Sequence, residues 1–184
     1  MNGAARACSA TTTKGIVYGY RGGGSSRQAN QPGEHIVEIQ EVPHTEAPIE
    51  LLLEADPSIE KLQSYLPDSR CFIAILQDKT VGAYVVKPIA PEVYELMSIA
   101  VAPDHQQKGI GSKLLRHVVA TARDMGARRL EVGTGTFGYQ LAWYQREGFR
   151  VFAIDRDFFL VNYQELIYED GIQLKDMLRL AVDY

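Results

Sequence analysis

At 184 residues with a formal net charge of -4, the chain is long enough for one domain with a real hydrophobic core. The 46% hydrophobic and 23% charged fractions are ordinary for a folded globular protein. The acidic balance argues against non-specific nucleic-acid binding or attachment to anionic membranes, and no stretch reaches the roughly 18 apolar residues a membrane helix needs.

Residues 1–33 differ from the rest. They are rich in Ser, Thr, Gly, Ala and Gln, carry Arg6, Lys14, Arg21 and Arg27, and hold no acidic residue before Glu34. Such a leader reads as a flexible tail or an organellar transit peptide, and it lacks the long apolar stretch of a secretory signal. The folded domain is expected over 34–184.

From His35 the pattern is regular. Residues 35–42 alternate as a strand does, with Ile36, Val37, Ile39 and Val42 apolar. Residues 47–54 and 59–66 carry leucines at helical spacing. Residues 71–76 and 81–86 are β-branched, apolar runs separated by Gln77-Asp78-Lys79-Thr80, which predicts a hairpin. A further strand is expected over 94–101. The clearest helix spans about 110–125, where Leu114, Leu115, Val118, Val119, Ala122 and Met125 form one stripe and Gly126 is placed to end it. A short strand at 129–132, a helix at 139–146 closed by Gly148, and strands at 149–154 and 175–182 follow. The expected fold class is α+β, a mostly antiparallel sheet flanked by helices.

Two cysteines, Cys8 and Cys71, give no disulfide framework, and neither Cys-x-x-Cys nor paired-His spacing suggests a metal site. A reducing, cytoplasmic setting is the expectation. Cys71 opens an apolar strand without a His partner, so it reads as structural before it reads as a nucleophile. His105 reads as a loop residue, and His35, His44 and His117 show no partner pattern.

The informative segment runs from Val101 to Ser112. A strand ends, Pro103 and Asp104 turn the chain, and Gln106-Gln107-Lys108-Gly109-Ile110-Gly111-Ser112 feeds directly into the amphipathic helix. The first amides of a helix lack intrahelical partners and sit at the positive end of its dipole, which favours a pyrophosphate. Glycine at 109 and 111 removes the Cβ that would keep phosphate oxygens from the backbone, and Lys108 can add a charge.

The spacing Gln106-x-x-Gly109-x-Gly111 resembles the Q/R-x-x-G-x-G/A signature of the GNAT acetyltransferases, and Tyr144-x-x-x-Gly148-Phe149 resembles that family's Y-x-x-x-G-F element. The resemblance covers roughly 36–183. It implies the GNAT fold, acetyl-CoA as co-substrate with no metal, and a pyrophosphate held by the loop from Gln106 to Ser112. It also implies that Ile99, Ala100 and Val101 supply strand amides beside the thioester. The asparagine that many members carry seven residues before the tyrosine is Phe137 here, leaving Thr134 or Thr136 as the alternative contact to the pantetheine arm. Dimerisation is common in the family, and no feature of the sequence forces it.

Transfer to an amine needs a neutral amine and a proton for the departing thiolate. Glu95 precedes the strand that leads to the loop, and its spacing to Gly109 resembles that of the general-base glutamate in the histone acetyltransferase branch. The bland alternative is a solvent-facing strand-edge carboxylate. Tyr144 is the candidate general acid, or else a packing residue beside Trp143 and Phe149. The acidic, aromatic segment 157–171 is longer than a hairpin needs, and shapes the acceptor site or forms a solvated cap.

Three functions follow: an N-acetyltransferase acting on a primary amine, a binding module that holds acyl-CoA without turnover, and a dinucleotide enzyme. The last rests on Gly133-x-Gly135-x-x-Gly138, with Asp155 about twenty residues beyond Gly135. The chain left after Arg129 is too short for a doubly wound sheet, the following helix is interrupted at Gly148, and the sequence before it reads as hairpins rather than βαβ. Those glycines are instead expected to let a strand end splay open beside the coenzyme.

Overall fold

The computed structural model describes residues 36–184. The leader lies outside the described residues. Strand β1 (Glu38–Val42) is followed by two short helices, α1 (Ile49–Leu52) and α2 (Ile59–Tyr65). Then come β2 (Arg70–Leu76), β3 (Lys79–Ala90) and β4 (Val93–Val101), the long helix α3 (Ile110–Asp124) and β5 (Arg129–Gly135). Helix α4 (Tyr139–Arg146), β6 (Arg150–Asp155), α5 (Phe158–Asn162), the two-residue strands β7 (Tyr168–Glu169) and β8 (Ile172–Gln173), and β9 (Met177–Asp183) complete it.

One seven-stranded sheet runs β1-β2-β3-β4-β5-β9-β6, antiparallel except at β4–β5. This matches the α+β expectation. It also corrects one detail, because β4, α3 and β5 form a parallel βαβ unit where the sequence reads as hairpins alone. A parallel pair needs a crossover, and the fifteen-residue α3 supplies it.

Both faces of the sheet are covered. On one, α3 lays Leu114, Leu115 and Val118, all fully buried, against Tyr84, Val86, Leu96, Leu130, Val132 and Leu180. Each such side chain contributes about 1.5–3 kcal/mol of burial. On the other, Leu52, Leu62, Tyr65 and Leu66 from α1, α2 and the turn after α2 cover Cys71, Ile73, Ala83 and Val85. The segment 47–54, expected as one helical stretch, forms only the single turn of α1, with Pro48 at its N-cap position.

The feature that creates the site lies in β4. Its register with β3 steps from Val86↔Leu96 to Val85↔Ser98, leaving Met97 as a bulge. A bulge bends its strand and sharpens the local twist. Pairing with β5 accordingly covers only Val93↔Arg129 to Leu96↔Val132. Beyond it, β4 continues beside β3 while Gly133, Thr134 and Gly135 pair with β9, so the two central strands part.

Candidate functional site

The gap between β4 and β5 leads to the start of α3. Gly109 is the N-cap residue at φ +81, no side chain caps the helix, and no acidic residue stands in its first turn. The first helical bond runs from Lys113 N–H to the Gly109 carbonyl at 3.0 Å, so the amides of Ile110, Gly111 and Ser112 point out of the helix end. The loop is braced from within. Gln106 Nε2 donates to the last carbonyl of β4, Val101, at 3.0 Å, and Lys108 Nζ donates to Asp104 O at 2.7 Å. Gln107 also adopts a positive φ, 59°. The side chain of Ile110 is buried, leaving only its backbone for a ligand.

The two glycines have different surroundings. Above Gly109 there is open space among the described residues, and its role is the left-handed conformation that turns the loop into the helix. Gly111 lies beside Trp143, whose ring would stand 3.4 Å from a Cβ there, an ordinary packing contact. Trp143 Nε1 donates to Ser112 Oγ at 3.3 Å, which ties α4 to the first turn of α3.

Glycines 133, 135 and 138 form no phosphate cradle. A Cβ on Gly133 would collide with Met177, one on Gly135 would meet Leu174, and one on Gly138 would stand 2.5 Å from Glu169 Oε1. They allow β9 and the β7–β8 hairpin to close over the end of β5. Thr134 is buried at that end, in line with Leu130 and Val132 on the α3 side of the sheet.

Tyr144 projects from α4 into the aromatic cluster expected from sequence, its ring 5.1 Å from Trp143 and 5.7 Å from Phe149 between centroids. It is 6% exposed. Burial pushes its phenol above the ordinary range, and nearby Tyr139 adds to the effect, so it keeps its proton at neutral pH.

On the sheet face opposite α3, Glu95 is neither solvated nor alone. Arg179 Nη1 reaches Glu95 Oε1 at 2.6 Å and its Nη2 reaches Glu131 Oε2 at 3.0 Å. The same face holds a polar group no spacing rule indicated. Tyr65 and Ser98 are each 6% exposed, and their hydroxyls are buried without a hydrogen-bond partner among the described residues. Ser98 directly follows the bulge. Lys61 Nζ lies 3.6 Å from the Tyr163 ring centroid and 4.9 Å from that of Phe158, while Tyr163 Oη donates to Asp56 Oδ1 at 3.3 Å. Burial lowers the proton affinity of Lys61, and Asp56 opposes that effect. Segment 157–171 is thus fastened to α2 through α5. Its Glu169, against Gly138, is pushed upward in pKa by burial and then by Asp170.

Cys71 is fully buried, and burial pushes its thiol up to about 11, so it is no nucleophile. His117 is not isolated, as its Nδ1 lies 2.8 Å from Tyr84 Oη within the core beneath α3. Among the described residues no group of three or more His, Cys, Asp or Glu is arranged to hold a metal, and no helix is long and apolar enough to cross a membrane.

Arg179 was invisible to motif spacing because it lies 84 residues from Glu95. One signal existed: it is the only charged residue in the apolar run 177–182 of β9. The β7–β8 hairpin had a clearer mark in Asp170-Gly171, both at positive φ as a tight two-residue turn requires.

Comparison with known proteins agrees with this geometry. Residues 34–149 match the sequence profile of the Acetyltransferase (GNAT) family. The Bacillus subtilis N-acetyltransferase YvbK is 43% identical over 135 residues, 73% of this chain and 87% of its own. An IAA acetyltransferase from Bacillus cereus superimposes with TM-score 0.79 at 45% identity, covering 81% of this chain and all of that one. A GNAT family acetyltransferase from Elizabethkingia anophelis, solved with acetyl-CoA bound, gives 0.78 at 37% identity over 80% of this chain and 98% of its own. A profile spanning most of the chain, relatives above 40% identity and the parted β4–β5 sheet place this chain in the GNAT family of acetyltransferases, as an N-acetyltransferase.

Proposed function

We propose that the protein transfers the acetyl group of acetyl-CoA to a primary amine by direct attack within a ternary complex, in the cytoplasm. The observation that carries this reading is the gap between β4 and β5, which runs straight to the uncapped first turn of α3. The pyrophosphate would sit on the amides of Gly109, Ile110, Gly111 and Ser112, with Gln107 and Lys108 at its rim. The pantetheine arm would lie in the gap, its amides taking strand hydrogen bonds from Ile99, Ala100 and Val101 on one side, with Thr134 near the other. An acetyl-CoA-bound structure of a 37% identical relative supports the choice of coenzyme.

The residues present suit each step. The acceptor arrives as an ammonium on the face holding Glu95 and Glu131, two carboxylates sharing one guanidinium, and gives a proton to Glu95. Its nitrogen forms the C–N bond, backbone N–H groups of the opened strand steady the developing oxyanion, and the C–S bond breaks. Tyr144 donates to the departing thiolate, and the second proton shed by the acylated nitrogen returns to the Tyr144 phenolate through water. Its raised proton affinity does not disqualify it, because the same apolar surroundings raise that of the thiolate beside it. The aromatic strap of Phe158 and Tyr163 over α2, with Tyr65 and Ser98 beneath, would bound the acceptor pocket.

The experiment is thiol release from acetyl-CoA with a panel of amines (a polyamine, an aminoglycoside, a lysine peptide and a peptide with a free N-terminus), for wild type and Glu95→Gln. The expected result is acceptor-dependent release in the wild type, reduced about a hundredfold at neutral pH in Glu95→Gln. Saturable acetyl-CoA binding without acetylation of any amine would instead identify a binding module that holds the coenzyme without turnover.

A further inference from the structure

The geometry points to Arg179 as a positioning residue that aims Glu95 and offsets the repulsion of its neighbour Glu131, a role that rests on the reading of Glu95 as the base. Glu95 and Glu131 are register partners on adjacent parallel strands, so their side chains emerge side by side on one face of the sheet. All three side chains of the group are shielded: Glu95 is 17% exposed, Glu131 13% and Arg179 15%. Two carboxylates side by side in a shielded place repel one another, and each disfavours the charged form of the other. A protonated Glu95 takes nothing from an ammonium.

Arg179 removes that conflict. Its guanidinium spans the pair, one nitrogen to each carboxylate, and it holds its own charge at any working pH. Among the described residues no other cation pairs with Glu95. Lys87, its register partner on β3, directs its ammonium to Asp68 at 3.4 Å. Arg129 stands 3.7 Å from the far oxygen of Glu131 and pairs more closely with Asp183, at 3.1 Å. Helix α1, on the same side, offers the apolar Leu52 and keeps Glu50 in solvent, and α3 covers the opposite face. Glu131 therefore acts as the second anchor that fixes the planar fork, leaving Glu95 Oε2 without a guanidinium contact. The group as a whole carries one surplus negative charge, which suits an incoming ammonium.

Arg179→Met keeps the bulk and deletes the charge. In carbon-13 carboxyl titrations, with Glu95 assigned by its loss in Glu95→Gln, the Glu95 midpoint should rise by about one pH unit, a tenfold gain in proton affinity. With the fastest amine of the panel, the acid limb of kcat/KM should move up by the same amount, activity should recover towards wild type at high pH, and the Kd for acetyl-CoA should stay unchanged. Arg179→Lys, which restores the charge without the fork, should return the limb towards its original place at lowered kcat. Should Arg179→Met fail to fold, Glu131→Gln decides: it leaves Arg179 to Glu95 alone and should move the limb to lower pH. An unshifted Glu95 titration with activity reduced by one factor at every pH, or an unmoved limb in Glu131→Gln, overturns the proposal. Full activity in Glu95→Gln would remove the base assignment itself, an outcome distinct from an inactive Glu95→Gln beside an unshifted Arg179→Met curve.

Discussion

Replacing Gly109 by Asp tests the electrostatics of the helix end with little steric cost. Among the described residues no heavy atom lies within 4 Å of the Cβ such a residue would add, and Asp and Asn tolerate its positive φ better than other side chains. The new carboxylate would stand about 5 Å from a pyrophosphate on the α3 amides. For one pair of unit charges the repulsion is about 1–3 kcal/mol between bulk-water and protein-surface screening. That corresponds to about a 5- to 150-fold rise in Kd, with the exposed loop favouring the lower half. Gly109→Asn has the same shape and backbone strain without the charge, so the Asp-to-Asn ratio isolates electrostatics. Trp143, the only tryptophan of the chain, touches Gly111 and Ser112, so its fluorescence reports binding directly. The gap between the two variants should narrow as salt rises from 0.05 to about 0.5 M, where the Debye length falls below about 5 Å. Equal acetyl-CoA affinity in the Asp and Asn variants would refute an anion site at this turn.

Tyr144→Phe should lower kcat by about a hundredfold while leaving the Kd for acetyl-CoA within about twofold, measured by pre-steady-state thiol release. Tyr163→Phe and Lys61→Met, which loosen the strap over α2, should raise KM for the amine several-fold and spare acetyl-CoA binding; a change confined to the coenzyme would contradict an acceptor-side role. Burial lowers the proton affinity of His117 in the folded chain, so as pH falls the unfolded chain takes up the proton first. Stability measured by urea denaturation should be at its full value above about pH 6.5 and decline below it, and His117→Gln should flatten that dependence.

The parts of the site legible in the sequence are those encoded by neighbours along the chain. The α3 stripe is a local period, and the loop from Gln106 to Ser112 couples a strand end to a helix start within a few residues. Features that depend on register were not legible. The Met97 bulge has no residue signature, since Leu96, Met97 and Ser98 read as ordinary strand, yet it separates β4 from β5. Likewise nothing beside Glu95 in the sequence reveals its guanidinium partner until β9 is laid beside β5 and brings Arg179 over it. The packing of Trp143 beside Gly111 was not legible either, because it depends on where α4 lies.

The parted strands also bear on how the fold is held together. With β4 and β5 joined along four residue pairs, the sheet consists of two panels sharing a short seam, and the main-chain groups past Leu96 lack a β5 neighbour. A coenzyme arm laid in that opening would serve as a borrowed strand. Deuterium uptake at Ile99 to Val101 should then slow on binding, and occupancy becomes part of the folding equilibrium, worth about 2.7 kcal/mol at a hundredfold excess over Kd. With the coenzyme held as proposed, the working form in a cell well supplied with the thioester would be a sheet completed by its own substrate.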